Sequence, residues 1–404
     1  MLIIDRIKAL KLILLFALIN SSVYIAFVPQ GFSLLKITIV LMLLMSVFLL
    51  TVFVVKKEDQ TFYIHPYFKF LLFLLFLWSF FTIFKSLSFS SVDILTLFGN
   101  YLMGWAWITP LAIVFGLNIF NWMEIFSFLG QLLLIGIILA IVLIPLSGSQ
   151  YTGGIVEWVQ FFPILFLTYF YQKTFYQKIV LGAIIVFTVL SIYNEQRVNA
   201  LYLVLVIFFI SIEYLRQSNI DKFKKVFFSI FLSLFILFLT IEVPTVYDKV
   251  MSDRTASMDT RTFLFVEMFS DMSLYEQTVG RGALGTYYSP YFAMLQRAKV
   301  KGGDSSTRSV NEIGYLEMVL KGGYIMVALY LLILVPAAYL GIFKSNNTIA
   351  RMSGYLILLY LIIWGISYYP VFSAEYLLLW MAVGTAISPH ARAVIDNDLY
   401  EYQE

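Results

Sequence analysis

Residues 324–343 read YIMVALYLLILVPAAYLGIF, a run without one charged side chain. A helix rises about 1.5 Å per residue, so such a run covers the roughly 30 Å of a bilayer's hydrocarbon core. A membrane-barrel strand would alternate polar and apolar residues, and this run does not.

The pattern repeats outward in both directions. Apolar residues make up 61% of the 404, charged residues 13%, and the mean hydropathy is +0.88. Soluble domains run near half apolar and a quarter charged. Twelve apolar segments stand out: 9–28, 34–55, 68–84, 94–116, 122–145, 155–171, 179–194, 198–215, 226–243, 324–343, 352–370 and 375–389. Backbone facing lipid must satisfy its own hydrogen bonds, so each segment is expected to be a helix. The expected fold is all-α: one polytopic membrane domain over 1–404, with about twelve transmembrane helices and one long extracytoplasmic segment carrying short helices. A net charge of +3 gives no reason to expect a nucleic-acid partner, and the absence of cysteine removes disulfides and thiolate chemistry. Arg6, Lys8 and Lys11 ahead of the first apolar run imitate a signal peptide. A retained first span closes the topology more consistently.

Basic residues in short loops set the orientation. With the N-terminus inside, fifteen fall on the cytoplasmic side: Arg6, Lys8, Lys11, Lys56, Lys57, Lys69, Lys173, Lys178, Arg216, Lys222, Lys224, Lys225, Lys344, Arg351 and Arg392. Lys36, Lys85 and Arg197 are the three in short external connections, and the other nine of the 27 lie in the long segment at 244–321. Both termini are then cytoplasmic and the long segment is external.

That segment balances nine basic residues with nine acidic ones. Two helices are expected inside it, about 254–272 and 309–321, with Gly322 and Gly323 weakening the second before the next span. Between them runs Gly280-Arg281-Gly282-Ala283-Leu284-Gly285, followed by Tyr287 and Tyr288. The glycines permit a tight turn and close backbone approach, but no βαβ unit surrounds them, so this is no dinucleotide fingerprint.

Guanidinium groups make forked hydrogen bonds to phosphate oxygens, which makes Arg254, Arg261, Arg281 and Arg308 candidates to surround a pyrophosphate. A solvated loop with surface ion pairs fits the same balanced charge. Arg197, between two spans with almost no loop, is the stronger single ligand candidate. Glu157, Glu195, Glu242 and Glu375 also sit at outer span ends, where pairing or snorkelling is the plain alternative. Glu312 is the candidate general base: a partly desolvated carboxylate there would have a raised pKa. It equally suits a helix start favoured by the macrodipole. Tyr193, Tyr287 and Tyr288 suit sugar stacking or an interfacial aromatic belt. Asp396-Asn397-Asp398 reads as a solvated cytoplasmic tail, so no metal site and no cofactor is expected.

Three pieces together resemble a known family: Asn194-Glu195-Gln196-Arg197 opening a span, a long external segment between late spans, and that segment's internal order. The order runs from Arg254 or Arg261 through the glycine loop to Asn311-Glu312-Ile313-Gly314-Tyr315-Leu316-Glu317 and Lys321-Gly322-Gly323. It resembles the bacterial Wzy-type O-antigen and capsular polysaccharide polymerases, in the superfamily shared with O-antigen ligases. The likeness covers about 190–345 directly. It implies a metal-independent, inverting glycosyltransferase of the bacterial inner membrane with its site facing the periplasm. Donor and acceptor would be oligosaccharides on undecaprenyl pyrophosphate, with a chain-length regulator and a flippase as possible partners. Arg197, Arg254, Arg261, Arg281 and Arg308 would hold the donor pyrophosphate. Tyr193, Gly280, Gly282, Gly285, Tyr287, Tyr288, Asn311 and Tyr315 would lie along the glycan and its backbone contacts. The ligase branch often places a histidine where this chain has Val310, Asn311 or Glu312, which favours the polymerase. A ligase acting on a lipid A core and a repeat-unit flippase are the alternatives. The flippase is disfavoured because a transporter gathers its charges near the midplane.

Overall fold

The structure is a computed structural model that describes residues 6–27, 40–50, 63–88, 90–100, 102–147, 167, 169–171, 177–178, 180, 182, 197–216, 262–290 and 306–403. Of the described residues 79% are helical. The helices are α1 (Arg6–Phe27), α2 (Val40–Leu50), α3 (Pro66–Lys85), α4 (Ser91–Gly99), α5 (Ile113–Gly116), α6 (Phe120–Ser147), α7 (Arg197–Arg216), α8 (Thr262–Asp271), α9 (Leu274–Val279), α10 (Gly314–Phe343), α11 (Thr348–Ile363), α12 (Ala374–Ile387), α13 (Pro389–Ala393) and α14 (Asp396–Gln403). A 3-10 helix, Gly104–Ala112, leads into α5.

α3 and α10 are long and apolar enough to cross a membrane, and a third crossing results if the bent pair Gly104–Gly116 and Phe120–Leu132, at 118°, forms one span. The expected span 226–243 and nearly all of 155–171 and 179–194 lie outside the described residues. The expected span 94–116 is three pieces instead. Asn100 turns extended after α4, its side chain accepting from the Leu102 N–H at 2.9 Å, and Pro110 removes a helical donor further on.

α3 begins where Pro66 follows His65, whose ring accepts from the Tyr67 N–H. Its exposed Phe70, Phe73, Leu77, Phe80 and Phe84 recur at steps of three and four, which places them on one face. Phe84 is 65% exposed. An aromatic stripe of this length suits a helix long and apolar enough to cross a membrane. The opposite face, with Leu72 and Leu75, packs inward beside α10.

The centre of the bundle is α12, all fourteen residues of which are buried. At about 21 Å it is shorter than a full span. Helices in lipid gain little from burying apolar surface against each other, so small residues and close contact matter more. Gly116 and Gly384 let α5 and α12 touch backbone to backbone: a Cβ on Gly384 would lie 2.2 Å from the Ile113 carbonyl oxygen. Thr385 seals the crossing by donating to Gly116 O at 2.9 Å. Gly341 and Gly354 do the same for α10 and α11.

The C-terminal tail corrects the sequence expectation. Asp396 accepts from the Thr348 N–H at 2.8 Å and from its hydroxyl at 3.0 Å, capping the start of α11, and also accepts from the Tyr171 hydroxyl. Leu399 is fully buried. The start of the tail is packed structure through Asp396 and Leu399, while Asn397, Asp398 and the residues from Tyr400 to Tyr402 are exposed.

Candidate functional site

The described residues 262–290 and 306–322 fold as a polar cap on one end of α3 and α10. The cap has its own small apolar core, in which Leu264, Met268, Tyr287, Ile313, Leu316 and Leu320 meet. The expected helix 254–272 is described only from Thr262. The expected helix 309–321 starts later, at Gly314, because Thr307–Arg308 is drawn into a two-stranded ribbon with Tyr287–Tyr288. In its register Tyr287 faces Arg308 and Tyr288 faces Thr307.

The junction with the membrane is a backbone accounting problem. α10 breaks at Gly323, with φ 72° and ψ −177°, which interrupts its hydrogen-bond ladder and orphans the carbonyls before it. The glycine loop supplies the missing donors. Arg281 N–H donates to Leu320 O at 2.7 Å and Gly282 N–H to Lys321 O at 2.9 Å, while Trp78 Nε1 of α3 donates to Gly322 O at 2.7 Å. The loop also reaches the end of α3, where Ala283 N–H donates to Thr82 O at 3.0 Å and Leu284 N–H to Ser86 Oγ at 2.9 Å. Two glycines make this possible. A Cβ on Gly280 would lie 2.2 Å from Lys321 O, and one on Gly323 would lie 2.1 Å from Thr278 O. Both have positive φ.

Arg281 sits at the centre of this loop, and its five N–H groups have five acceptors. Nε donates to Glu276 Oε1 at 3.0 Å; Nη1 donates to Asp271 Oδ2 at 2.5 Å and Thr286 O at 2.7 Å; Nη2 donates to Asp271 O at 2.6 Å and Glu276 Oε2 at 3.1 Å. A guanidinium has five such donors in all. Arg281 therefore orders the cap, and the expectation that it faces a diphosphate is corrected by that count. In return its guanidinium holds the Glu276 carboxyl down to about 2. Glu276 also closes a capping box with Ser273 at the start of α9.

Lys321 and Glu317 form a second internal tie. Both are buried, 3.7 Å apart. Lys321 Nζ donates to Gly285 O at 2.9 Å and Ser309 O at 2.5 Å, and Glu317 Oε2 accepts from the Asn311 N–H at 2.7 Å. Asn311, expected beside the glycan, is fully buried and turns the chain by accepting from Ile313 N–H at 3.0 Å. Tyr315 likewise points inward, its hydroxyl donating to Leu361 O at 2.7 Å. Tyr287 is buried, which pushes its phenol up to about 12, whereas Tyr288 is half exposed.

Arg308 of the ribbon pairs with Glu312, and of the two it is the carboxylate that is mostly exposed. Arg308 Nη2 donates to Glu312 Oε1 at 2.7 Å, with Arg308 14% and Glu312 57% exposed. Glu312 is thus a solvated carboxylate held by an arginine rather than a desolvated one. An open cleft of 460 Å³ lies nearby in the cap, between Lys85, Ser86, Glu276, Arg281, Gly285 and Thr286. Among the described residues no three acidic or histidine side chains gather to hold a metal ion.

Arg254, Arg261 and Tyr193 lie outside the described residues. Arg197 opens α7, and its side chain is outside them too. Five residues down that helix, the Tyr202 hydroxyl donates to Glu375 at 3.2 Å, and the Tyr360 hydroxyl donates to the same oxygen. Glu375, expected at the outer rim, is in fact buried. Sequence reasoning gave no role to Glu276 or Trp78, and quoted Lys321 only within the Lys321-Gly322-Gly323 pattern. The Ser273-x-x-Glu276 capping spacing was a readable signal for the first; the other two become visible only through partners distant in sequence. Scanned against protein-family models, curated proteins and solved structures, the chain matches none.

Proposed function

We propose that this chain is a glycosyltransferase that polymerises oligosaccharide repeat units carried on undecaprenyl pyrophosphate, at the periplasmic face of the bacterial inner membrane. What supports the reading is the order of features from Arg197 to Gly323 described above. The observation that carries it is the Arg308–Glu312 pair, a cation and a carboxylate presented together on an ordered cap at the end of two membrane-length helices.

The chemistry follows from that pair. A hydroxyl of the acceptor sugar attacks the donor's anomeric carbon, the bond from that carbon to the diphosphate oxygen breaks with inversion, and the lipid diphosphate leaves. Arg308, assisted by Arg197, Arg254 and Arg261, takes the negative charge that develops on the leaving group. A diphosphate that draws Arg308 toward itself releases Glu312, which then accepts the hydroxyl proton. Donor binding and base activation are coupled in this scheme. Arg281 keeps the cap in shape and Tyr288 offers a sugar-stacking face.

Purified protein in liposomes, given a lipid-linked repeat unit alone, is expected to produce a ladder of chain lengths. Arg308→Ala and Glu312→Gln are each expected to slow it by about a hundredfold, the size of effect seen when one charge-stabilising donor is removed. Unchanged ladders from both variants would falsify the site. Transfer that occurs only when a lipid A core is supplied would identify a ligase.

A further inference from the structure

Leu274 and Tyr275 are 77% and 68% exposed on α9, a short helix in which the side chains of Ser273, Glu276, Gln277 and Thr278 are bonded within the chain. Ser273 and Glu276 close the capping box, Thr278 donates to Leu274 O at 2.8 Å, and Gln277 Nε2 donates to Met272 O at 2.9 Å. Few donors of such a helix remain for headgroup oxygens and water to meet when its apolar side chains enter the interface.

Two lipid-facing stripes converge on it. The stripe of α10 runs through Phe343, Tyr339, Val335 and Leu332 to Tyr324, whose hydroxyl donates to Gln277 Oε1 at 3.5 Å. The stripe of α3 ends at Phe84, and the next residue, Lys85, places its ammonium 5.5 Å over the Tyr275 ring. The bond from Trp78 to Gly322 O sets those two residues at one level. Lys85 lies two helical turns further along, about 10 Å. Exposed Phe80, Phe81 and Phe84 therefore carry the apolar belt past the start of the α10 span, and α9 sits in the step between them.

We propose that α9 is a membrane-lying finger: Leu274 and Tyr275 insert among the acyl chains of the leaflet on the cap's side, and Lys85 turns its remaining N–H groups to headgroup phosphates. The partner is a lipid surface rather than a protein, because the patch continues two stripes that already meet lipid. Lysine and tyrosine are also the residues that settle where acyl chains give way to headgroups. The glycine loop pins α9 to both spans, so insertion requires no rearrangement.

The chain has no cysteine, so a single introduced one can be spin-labelled cleanly. Leu274→Cys, labelled and reconstituted in phosphatidylglycerol-containing liposomes, is expected to relax with oxygen in preference to a water-soluble nickel chelate. Glu401→Cys on the exposed face of α14 provides the aqueous reference and is expected to show the reverse preference. Nickel-dominated relaxation at Leu274, matching the reference, overturns the proposal. If Leu274→Cys does not assemble, Tyr275→Cys is read by the same criterion. The readout is independent of enzymatic activity, so it stands or falls apart from the glycosyltransferase reading.

Discussion

Replacing Gly323 with alanine tests how the cap is joined to the membrane helices. Gly323 has φ 72°, and its missing Cβ would lie 2.1 Å from Thr278 O. An alanine there costs about 1 kcal/mol for the left-handed backbone alone. The overlap is with a carbonyl oxygen, which cannot rotate away as a side-chain tip can, so α9 must retreat by about 1.3 Å or more for 2.1 Å to become an ordinary contact of 3.4 Å. That motion lifts the neighbouring loop and stretches the donations from Arg281 N–H and Gly282 N–H, made at 2.7 and 2.9 Å. Each buried group left unpaired costs about 1–3 kcal/mol. The sum is about 4 kcal/mol against the docked cap, or roughly a thousandfold faster local opening. Amide hydrogen exchange on the liposome-embedded protein reads it directly, in peptides covering 278–286. Gly130→Ala is the control, since a Cβ there meets nothing within 4 Å. An acceleration below about tenfold in Gly323→Ala would mean that the loop's hydrogen bonds do not hold the cap.

Arg281→Gln should unlock the same loop and move its acid sensitivity. The folded Glu276 carboxyl lies at about 2, below its ordinary 4.5, so the stability it lends is complete above 4.5 and is lost as pH falls toward 2. Without the guanidinium the folded value returns toward 4.5, so the variant should be less stable already at neutral pH and lose less further stability between 4.5 and 2, as followed by proteolysis of the cap across a pH series; a wild-type acid profile in the variant would refute the linkage. Lys321→Met should lower thermal stability by about 3–5 kcal/mol because Glu317 stays buried and unpaired. The double variant Lys321→Met with Glu317→Gln should recover part of that, and strictly additive losses would argue against the pair. Asp396→Ala should cost about 1 kcal/mol through the lost cap on α11, measurable as a lower midpoint in a detergent-solubilised melt. A tail truncated after Val394 should lose more, since it also gives up buried Leu399.

The membrane character of the chain is legible from composition because apolar excess needs no tertiary context to be read. α3 is legible for the same reason: its run is unbroken and its cap residues stand at the boundary. The stretch 94–116 is not, because a hydropathy reading sees Leu97, Trp107 and Ile113 and passes over the turn at Asn100 and the missing donor at Pro110. α12 is apolar all round, so no periodicity distinguishes a lipid-facing helix from a fully enclosed one, and it proves to be the enclosed kind. The tail misled in the opposite direction. Asp396 is polar and terminal, yet its function is to cap Thr348, 48 residues earlier. Arg308 looked like the start of a helix until its pairing with Tyr287 placed it in a ribbon.

The equal numbers of acidic and basic residues in the segment 244–321 take on a physical meaning once donors are counted. Residue type alone makes every arginine there a candidate for phosphate. Redirecting Arg281 would strand Asp271 and Glu276 together in a partly buried loop and release the donations that satisfy all five of its N–H groups. Redirecting Lys321 would leave Glu317 alone in the cap's interior. Arg308 differs: the carboxylate it would leave behind, Glu312, is more than half exposed and can be stabilised by water. A cation serves a ligand cheaply only where its current partner tolerates being abandoned. Arg308 is paired with a carboxylate that meets that condition, and that carboxylate is the group a proton transfer would need.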